Sequence, residues 1–237
     1  MIRLVDDIPA LEIDKKYLVI GDLHIGYEFE AMRRGIHIPP LTRTYKNYIR
    51  LLSSSSNASE LYILGDLKNT ITFPGSEEIS ELLELLEEIN ASFKVNLVKG
   101  NHDGSIERIL PSYVTVFSPS GTVLKSQGRS YGILHGHARP SKAVATSDCI
   151  IMAHLHLFIR YGSSKYPVWL IQDTGKLPSF ILIPPFNQFI PGMGLRNPRM
   201  KIPFFERRLI DFNAYMLDGK LLGGIRNLKG TLELEND

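Results

Sequence analysis

Five short apolar runs along the first two-thirds of the chain constrain the fold more than any other feature. Each is rich in Val, Ile, Leu and Tyr and stops at Gly, Ala, His or Lys-Gly, as buried strands do. The runs are residues 17–20, 61–64, 95–98, 131–134 and 149–152. Apolar residues at helical spacing predict helices over 41–52 and 76–89, between the first three runs. This alternation predicts an α/β fold with covered sheet faces.

The last third of the chain has a different pattern. From Pro167 onward, proline interrupts the strand-like segments, and Asp218-Gly219 predicts a hairpin. We interpret residues 1–160 as the part that carries the functional motifs and residues 161–237 as a β-rich part that completes a second sheet. The Ser-rich stretch 53–59 is too short to be a domain linker, so the 237 residues are expected to form one domain.

The charge distribution points only weakly to a partner. A formal net charge of +2 does not by itself indicate a nucleic-acid binder. One segment is strongly basic, and its cations are Lys176, Arg196, Arg199, Lys201, Arg207 and Arg208. A solvated face and a nucleic-acid contact are equally compatible with this segment.

Cysteine usage and hydropathy bear on location. A single cysteine excludes an internal disulfide and suits a reducing compartment. The N-terminal residues do not resemble a secretory signal, and no apolar stretch approaches the roughly 20 residues of a membrane span. We therefore expect a cytoplasmic protein without a membrane partner.

Six of the seven histidines lie in four short stretches, each after an apolar run. The stretches are residues 21–24, 100–103, 135–137 and 154–156. Histidine with Asp and Asn forms a mixed nitrogen and oxygen donor set that suits borderline divalent ions. In open α/β sheets, functional groups gather where strands end. The pattern predicts a metal site that is also an active site.

Seven side chains at the strand ends are candidate metal ligands. They are Asp22, His24, Asp66, Asn101, His135, His154 and His156. One ion of four- to six-fold coordination does not need so many, so we expect two ions that share a carboxylate. Asp66 is the candidate bridge because it stands alone between the other clusters.

An ordered set of five motifs resembles the signature of the calcineurin-like metallophosphoesterases: Asp22-x-His24, Gly65-Asp66-x-x-Asn69, Gly100-Asn101-His102-Asp103, His135 and His154-x-His156. Residues 21–28, 33–39 and 65–68 resemble, more narrowly, two groups within this superfamily. These are archaeal phosphoesterases related to double-strand-break repair nucleases, and bacterial ligase-associated DNA-repair endonucleases. The resemblance implies an α/β fold with two mixed β-sheets in an αββα four-layer sandwich.

The resemblance also implies roles for individual residues. One ion would be held by Asp22, His24, Asp66 and His156, and the other by Asp66, Asn101, His135 and His154. Mn²⁺ is the expected metal, with Fe, Zn, Co and Ni as alternatives. His102 would contact the phosphate and assist the leaving oxygen. Many relatives orient this histidine with a carboxylate or histidine at position 69. Asn69 could accept a hydrogen bond through its amide oxygen but cannot act as a charged partner, so we expect a weaker general acid.

The function expected from these residues is phosphodiester or nucleic-acid hydrolysis, in which hydroxide generated at the two metals attacks phosphorus. His137, Arg33 and Arg34 are candidate substrate contacts, with a purely structural role as the alternative for His137. Lys68 could reach a phosphate, but a surface position is the expected one. Two other functions stay open: hydrolysis of a small nucleotide or other phosphoester, and a catalytically silent protein-binding scaffold.

Overall fold

Two mixed β-sheets form the framework of the protein, in a computed structural model that describes residues 1–161, 163–173, 175, 178–192 and 201–228. The strands are β1 (Ile2–Leu4), β2 (Leu11–Ile13), β3 (Tyr17–Ile20), β4 (Glu60–Leu64), β5 (Lys94–Val98), β6 (Thr115–Phe117), β7 (Thr122–Ser126), β8 (Arg129–Leu134), β9 (Cys149–Met152), β10 (Phe158–Tyr161), β11 (Ser164–Pro167), β12 (Trp169–Gln172), β13 (Ser179–Leu182), β14 (Asn213–Tyr215) and β15 (Leu221–Gly224).

The α-helices are α1 (Tyr27–Arg33), α2 (Leu41–Ser55), α3 (Ser76–Asn90), α4 (Lys142–Ala145) and α5 (Ile225–Leu228). Short 3₁₀ turns cover Ile106–Arg108 and Leu209–Asp211. Within the described ranges, none of the helices is both long enough and apolar enough to cross a membrane.

The first sheet has six strands in the order β1-β2-β3-β4-β5-β6. Strands β1 to β3 are antiparallel neighbours, and β3 to β6 run parallel. The predicted runs at 17–20, 61–64 and 95–98 are β3, β4 and β5, and the two predicted helices are α2 and α3. Because parallel strands end at the same edge of a sheet, the loops that follow β3, β4 and β5 meet there.

The second sheet has seven strands in the order β15-β14-β12-β13-β9-β8-β7. Strand β9 is parallel to both β8 and β13, and the other pairs are antiparallel. The turn at Asp218-Gly219 joins β14 to β15, which confirms the predicted hairpin. Since this sheet takes strands from both sides of residue 160, we propose that the chain forms a single domain.

Apolar cores between and outside the sheets define four layers. Val19 and Leu64 of the first sheet pack against the second sheet, including Ile151 and Trp169. Helices α2 and α3 cover the outer face of the first sheet. The outer face of the second sheet is covered by α4, α5 and the 3₁₀ turn at Leu209–Asp211. The predicted αββα sandwich is confirmed, with its last layer built from short helical pieces.

Candidate metal centre

Two clusters of possible metal ligands lie where loops from the two sheets meet. Within each cluster, one ligand atom from every residue lies within 4.8 Å of all the others. The first cluster is Asp22, His24, Asp66 and His156, and the second is Asp66, His135 and His154. The fold therefore brings six of the seven predicted ligands together, in the two groups that the resemblance implies.

Asp66 is common to both clusters. Its Oδ2 lies 3.6 Å from Nε2 of His24 and 3.3 Å from Nε2 of His135. Its Oδ1 accepts a hydrogen bond from the backbone N–H of His102 at 2.8 Å, which fixes the carboxylate. Asn101, the seventh predicted ligand, places its Oδ1 3.0 Å from the same Nε2 of His135. One carboxylate oxygen thus faces both clusters, as a bridging ligand would.

The backbone at five of the predicted ligands is left-handed. The φ angles are 56° at Asp22, 45° at His24, 49° at Asp66, 71° at His154 and 43° at His156. This conformation is uncommon for residues other than glycine and costs of order 1 to 3 kcal/mol where it occurs. Backbone hydrogen bonds between loops hold it in place, for example from His24 N–H to the carbonyl of Asp66 at 2.9 Å. The sharp turns direct the side chains toward one another.

Backbone carbonyls set the ring orientation of three histidines. Nδ1 of His135 lies 2.9 Å from the carbonyl oxygen of Leu64, and Nδ1 of His156 lies 3.2 Å from that of Pro191. Nδ1 of His102 makes the same kind of contact with the carbonyl of Asn69. A carbonyl oxygen only accepts, so each Nδ1 carries a proton. In the neutral rings Nε2 keeps its lone pair, which is the form that metal-binding histidines need.

Burial and the two carboxylates set the protonation states of the clusters. Burial lowers the pKa of both His24 and His154 to about 4. These rings are therefore neutral near pH 7, and each has a nitrogen lone pair that a metal ion can bind. Burial also opposes charge on His135, but the hydrogen bond to Asp66 and the charge of Asp22 raise its pKa to about 9. Burial disfavours the charged form of Asp66 as well. The contacts with His135 and His24 outweigh that effect and hold the pKa of Asp66 below its usual range.

Unpaired ligand atoms show that the clusters fit a metal ion. Among the described residues, Asp22 Oδ1, His24 Nε2 and His156 Nε2 are buried without a hydrogen-bond partner. Buried polar atoms are nearly always paired, because an unpaired one costs about 1 to 3 kcal/mol. Asp22 Oδ1 and His156 Nε2 lie 3.4 Å apart. Carboxylate oxygens and imidazole nitrogens are the donors that divalent transition-metal ions take.

His102 lies beside the first cluster, with its ring centroid 4.7 Å from that of His24. Its contact with position 69 corrects one expectation, because the acceptor is the backbone carbonyl and not the amide oxygen of Asn69. The Asn69 side chain instead donates from Nδ2 to Oε2 of Glu30 at 2.7 Å. A sequence motif specifies side chains, so it cannot predict a contact that a backbone carbonyl makes. The orientation of His102 does not require an amide side chain at position 69.

The three predicted substrate contacts have different surroundings. His137 is partly buried, its ring centroid is 5.1 Å from that of His135, and its Nδ1 has no partner among the described residues. Arg33 and Arg34 are exposed at the end of α1. Arg34 forms an ion pair with Glu30, the residue that binds the Asn69 side chain.

The basic segment is only partly covered by the structure. Lys176, Arg196 and Arg199 lie outside the described residues. Lys201 forms an ion pair with Glu206 at 2.6 Å. The guanidinium of Arg207 lies over the ring of Phe180, 5.7 Å from its centroid. These two cations are therefore engaged by neighbouring side chains of the protein.

Two buried charged residues hold the loops that carry the site. Lys68 was expected at the surface, but it is fully buried and its Nζ donates to the carbonyls of Thr70, Ile71 and Thr72. Asp103 accepts hydrogen bonds from the backbone N–H groups of Leu67 at 3.0 Å and Gly100 at 2.8 Å. It thereby joins the loops after β4 and β5. No periodicity distinguishes such a lysine from an exposed one, so the sequence offered no signal for it.

A strap segment, residues 186–192, closes one side of the first cluster. The backbone N–H groups of Phe186 and Asn187 donate to the carbonyls of Gly21 at 2.9 Å and Asp22 at 3.1 Å. The carbonyl of Pro191 holds His156. Sequence reasoning missed this segment because its contacts with the site use main-chain atoms.

Gly65→Ala is expected to destabilise the protein through crowding at the site. A Cβ at Gly65 would lie 2.6 Å from both Gly100 Cα and His135 Cγ. Gly128 is a matched control, since its φ of +75° is close to the +74° of Gly65 and nothing lies within 4 Å of its added Cβ. We expect Gly65→Ala to lower the free energy of unfolding by about 2 kcal/mol more than Gly128→Ala, measured by urea denaturation. Equal losses would contradict the crowding argument.

Comparisons with known proteins are consistent with this geometry. The sequence profile of the calcineurin-like phosphoesterase family matches residues 15–168. Among solved structures, the nuclease MPE of Pseudomonas putida is similar, with a TM-score of 0.63 and 18% identity over 94% of this chain and 100% of that chain. The phosphoesterase Yfce of E. coli gives a TM-score of 0.45 and 15% identity, over 87% of this chain and 96% of that one. A search of curated proteins gave no match.

At 18% identity the likeness to the Pseudomonas putida nuclease shows the fold alone, and the family match carries the assignment. That match covers more than half of the chain and includes all five motifs and both ligand clusters. The chain therefore belongs to the calcineurin-like phosphoesterase family and is a metal-dependent phosphoric ester hydrolase.

Proposed function

We propose that the protein is a binuclear phosphodiesterase that cleaves nucleic acid. The position of Asp66, with one carboxylate oxygen near His24 and near His135, is the observation that carries the two-metal part of this proposal. The first ion would be held by Asp22, His24, Asp66 and His156, and the second by Asp66, Asn101, His135 and His154. Mn²⁺ is the proposed metal because it suits this mixed donor set.

When bound, the two ions would supply Lewis acidity that lowers the pKa of water and neutralises charge on the phosphate. The residues of the chain provide orientation and proton transfer. The carbonyls of Leu64 and Pro191 keep Nε2 of His135 and His156 directed into the clusters. As the imidazolium, His102 would donate its Nε2 proton to the leaving oxygen and become neutral, while its Nδ1–H stays on the carbonyl of Asn69. This neutral partner stabilises a charged ring less than a carboxylate does, which favours good leaving groups.

Nucleic acid is proposed as the substrate from two observations. Arg33 and Arg34 are exposed cations at the end of α1, and Glu30 connects Arg34 to Asn69 beside the site. Cations near the scissile phosphate would bind neighbouring phosphates of a strand. The Pseudomonas putida protein that shares this fold is a nuclease, which supports the same substrate class. We assign His137 as a further phosphate contact, because its unpartnered Nδ1 lies beside the second cluster.

A substrate panel on one purified, Mn²⁺-loaded sample tests this proposal. We expect cleavage of a chromogenic phosphodiester and of oligonucleotides to exceed that of a chromogenic monoester, with metal analysis approaching two ions per chain. Preference for a small nucleotide over every oligonucleotide would replace the nuclease proposal. Turnover of none of these substrates despite bound metal would favour a protein-binding role. A stoichiometry well below two ions would contradict the binuclear centre.

Salt dependence tests the nucleic-acid contact separately. We expect affinity for single-stranded DNA, measured in EDTA, to fall steeply with salt because cations on the protein release counterions from phosphates. The double variant Arg33→Gln, Arg34→Gln should reduce the slope of log K against log salt by about 1.4, the value for two lost phosphate contacts on a single strand. The control is Lys125→Gln, Arg129→Gln, which removes two other exposed cations. A salt-insensitive affinity would contradict the contact.

A further inference from the structure

An aromatic cavity is connected to the metal centre through the loop after β3. Its volume is about 380 Å³, within the range of ligand-binding pockets. Its lining includes Tyr45, Tyr48, Phe186, Phe189 and Lys165. The ring of Phe186 packs against Tyr45 and Tyr48, with centroid distances of 5.2 Å and 5.6 Å. These three rings form one wall of the cavity.

Hydrogen bonds attach this wall to the loop that carries two predicted ligands. The hydroxyl of Tyr45 donates at 3.0 Å to the carbonyl of Leu23, which is the residue between Asp22 and His24 in the sequence. The backbone N–H of Phe186 donates to Gly21 in the same loop, at 2.9 Å. The wall of the cavity and the first cluster are therefore joined through the loop after β3.

Phe189 is the exposed aromatic residue of the cavity. The residue is 52% exposed, and its backbone N–H donates to Oδ1 of Asn187 at 2.9 Å. An exposed aromatic ring offers a flat apolar face on which an unpaired base can stack. Lys165 lines the same cavity. Its Nζ contacts the carbonyl of Ile190 and lies over the ring of Phe158, 4.9 Å from its centroid, so at least one of its three N–H donors remains for an anion.

We propose that this cavity binds one unpaired nucleobase of the substrate strand, stacked on Phe189, while the adjoining phosphate reaches the metal centre and Lys165 contacts a phosphate. The ring face of Phe189 and the charge of Lys165 match the two parts of a nucleotide. This inference rests on the proposed nuclease function and narrows it to strands with an unpaired base. A base inside a duplex would first have to leave its stack.

Binding measurements in EDTA test the cavity without relying on catalysis. Two labelled single strands of equal length are compared, oligothymidylate and a strand with the same backbone made only of abasic residues. We expect Phe189→Ala to weaken binding of oligothymidylate about tenfold and to leave the affinity for the abasic strand unchanged. Phe189→Tyr should restore the affinity because it keeps a stacking ring. Lys165→Met should weaken both strands, since both carry phosphates.

Tyr166→Ala is the matched control, because Tyr166 is also an exposed aromatic residue. Side chains alternate along β11, so Tyr166 lies on the face of the strand opposite to Lys165, which lines the cavity. It should change neither affinity, and thermal unfolding midpoints check that each variant is folded.

Equal effects of Phe189→Ala on both strands, or no effect on either, would overturn the proposal. If the parent protein self-associates, and Phe189→Ala abolishes this association without changing strand binding, the cavity would be assigned to the contact with a second copy of the chain. Cleavage of the chromogenic diester without cleavage of oligonucleotides would reject the nuclease function separately, while the binding result still decides the cavity.

Discussion

Asp66→Asn is expected to reduce metal affinity at least about 100-fold and to abolish phosphodiester cleavage. Asp66 is the one residue common to the two clusters, and its Oδ2 faces both His24 and His135. An amide has no negative charge to offer either ion. The same change should also lower the pKa of His135, because Asp66 contributes to raising it.

Metal content after equilibrium dialysis against Mn²⁺ measures this effect directly. Asp6→Asn is the control, since it removes an exposed carboxylate outside both clusters. The control should bind as much metal as the parent protein. An Asp66→Asn protein that still holds two ions would contradict the bridging role.

His102→Ala is expected to keep both metals and to lose about 10² to 10⁴ of turnover, the range for a positioned general acid. The metals should stay because His102 fixes Asp66 through its backbone N–H, which alanine retains. The imidazole that faces the leaving oxygen would be gone. The loss should be larger for a diester with a poor leaving group than for one with a good one, since the latter needs less protonation.

Two variants serve as comparisons for His102→Ala. His37→Ala removes an exposed histidine and should leave turnover unchanged. Asn69→Ala should cost much less than His102→Ala, because the acceptor for His102 is a main-chain carbonyl that alanine also supplies. Full activity of His102→Ala on the poor leaving group would remove this residue from the mechanism.

The sequence predicted most of the framework because buried parallel strands are continuous apolar runs. Strands β3 and β9 have the predicted bounds, and β4, β5 and β8 differ by one or two residues. Strands β1 and β2 were missed because each has three residues, one of them charged, too few for a periodic pattern. The hairpin of β10 and β11 was missed for a related reason, since Arg160, Lys165 and Pro167 interrupt its apolar pattern.

The site was predictable to the extent that it is built from side chains. Motifs of Asp, Asn and His at strand ends identified the residues that the fold brings together in two clusters. The residues that hold those side chains were not predictable. The carbonyls of Leu64, Asn69 and Pro191 act through the main chain, which every amino acid provides. Their positions follow from the packing of the strap segment and the sheets, not from a local pattern.

The order of the ligands along the chain has a consequence for biosynthesis. Asp22 and Asp66 lie in the first third of the chain, whereas both clusters are completed only by histidines from 135 onward. In a growing polypeptide the second cluster is complete only after His154 has left the ribosome and the first only after His156, and the strap segment emerges later still. While the first sheet is being made, its two carboxylates have only His24 as a histidine neighbour, so neither site is complete. A full ligand set for either ion therefore requires that the loops of the second sheet have joined those of the first.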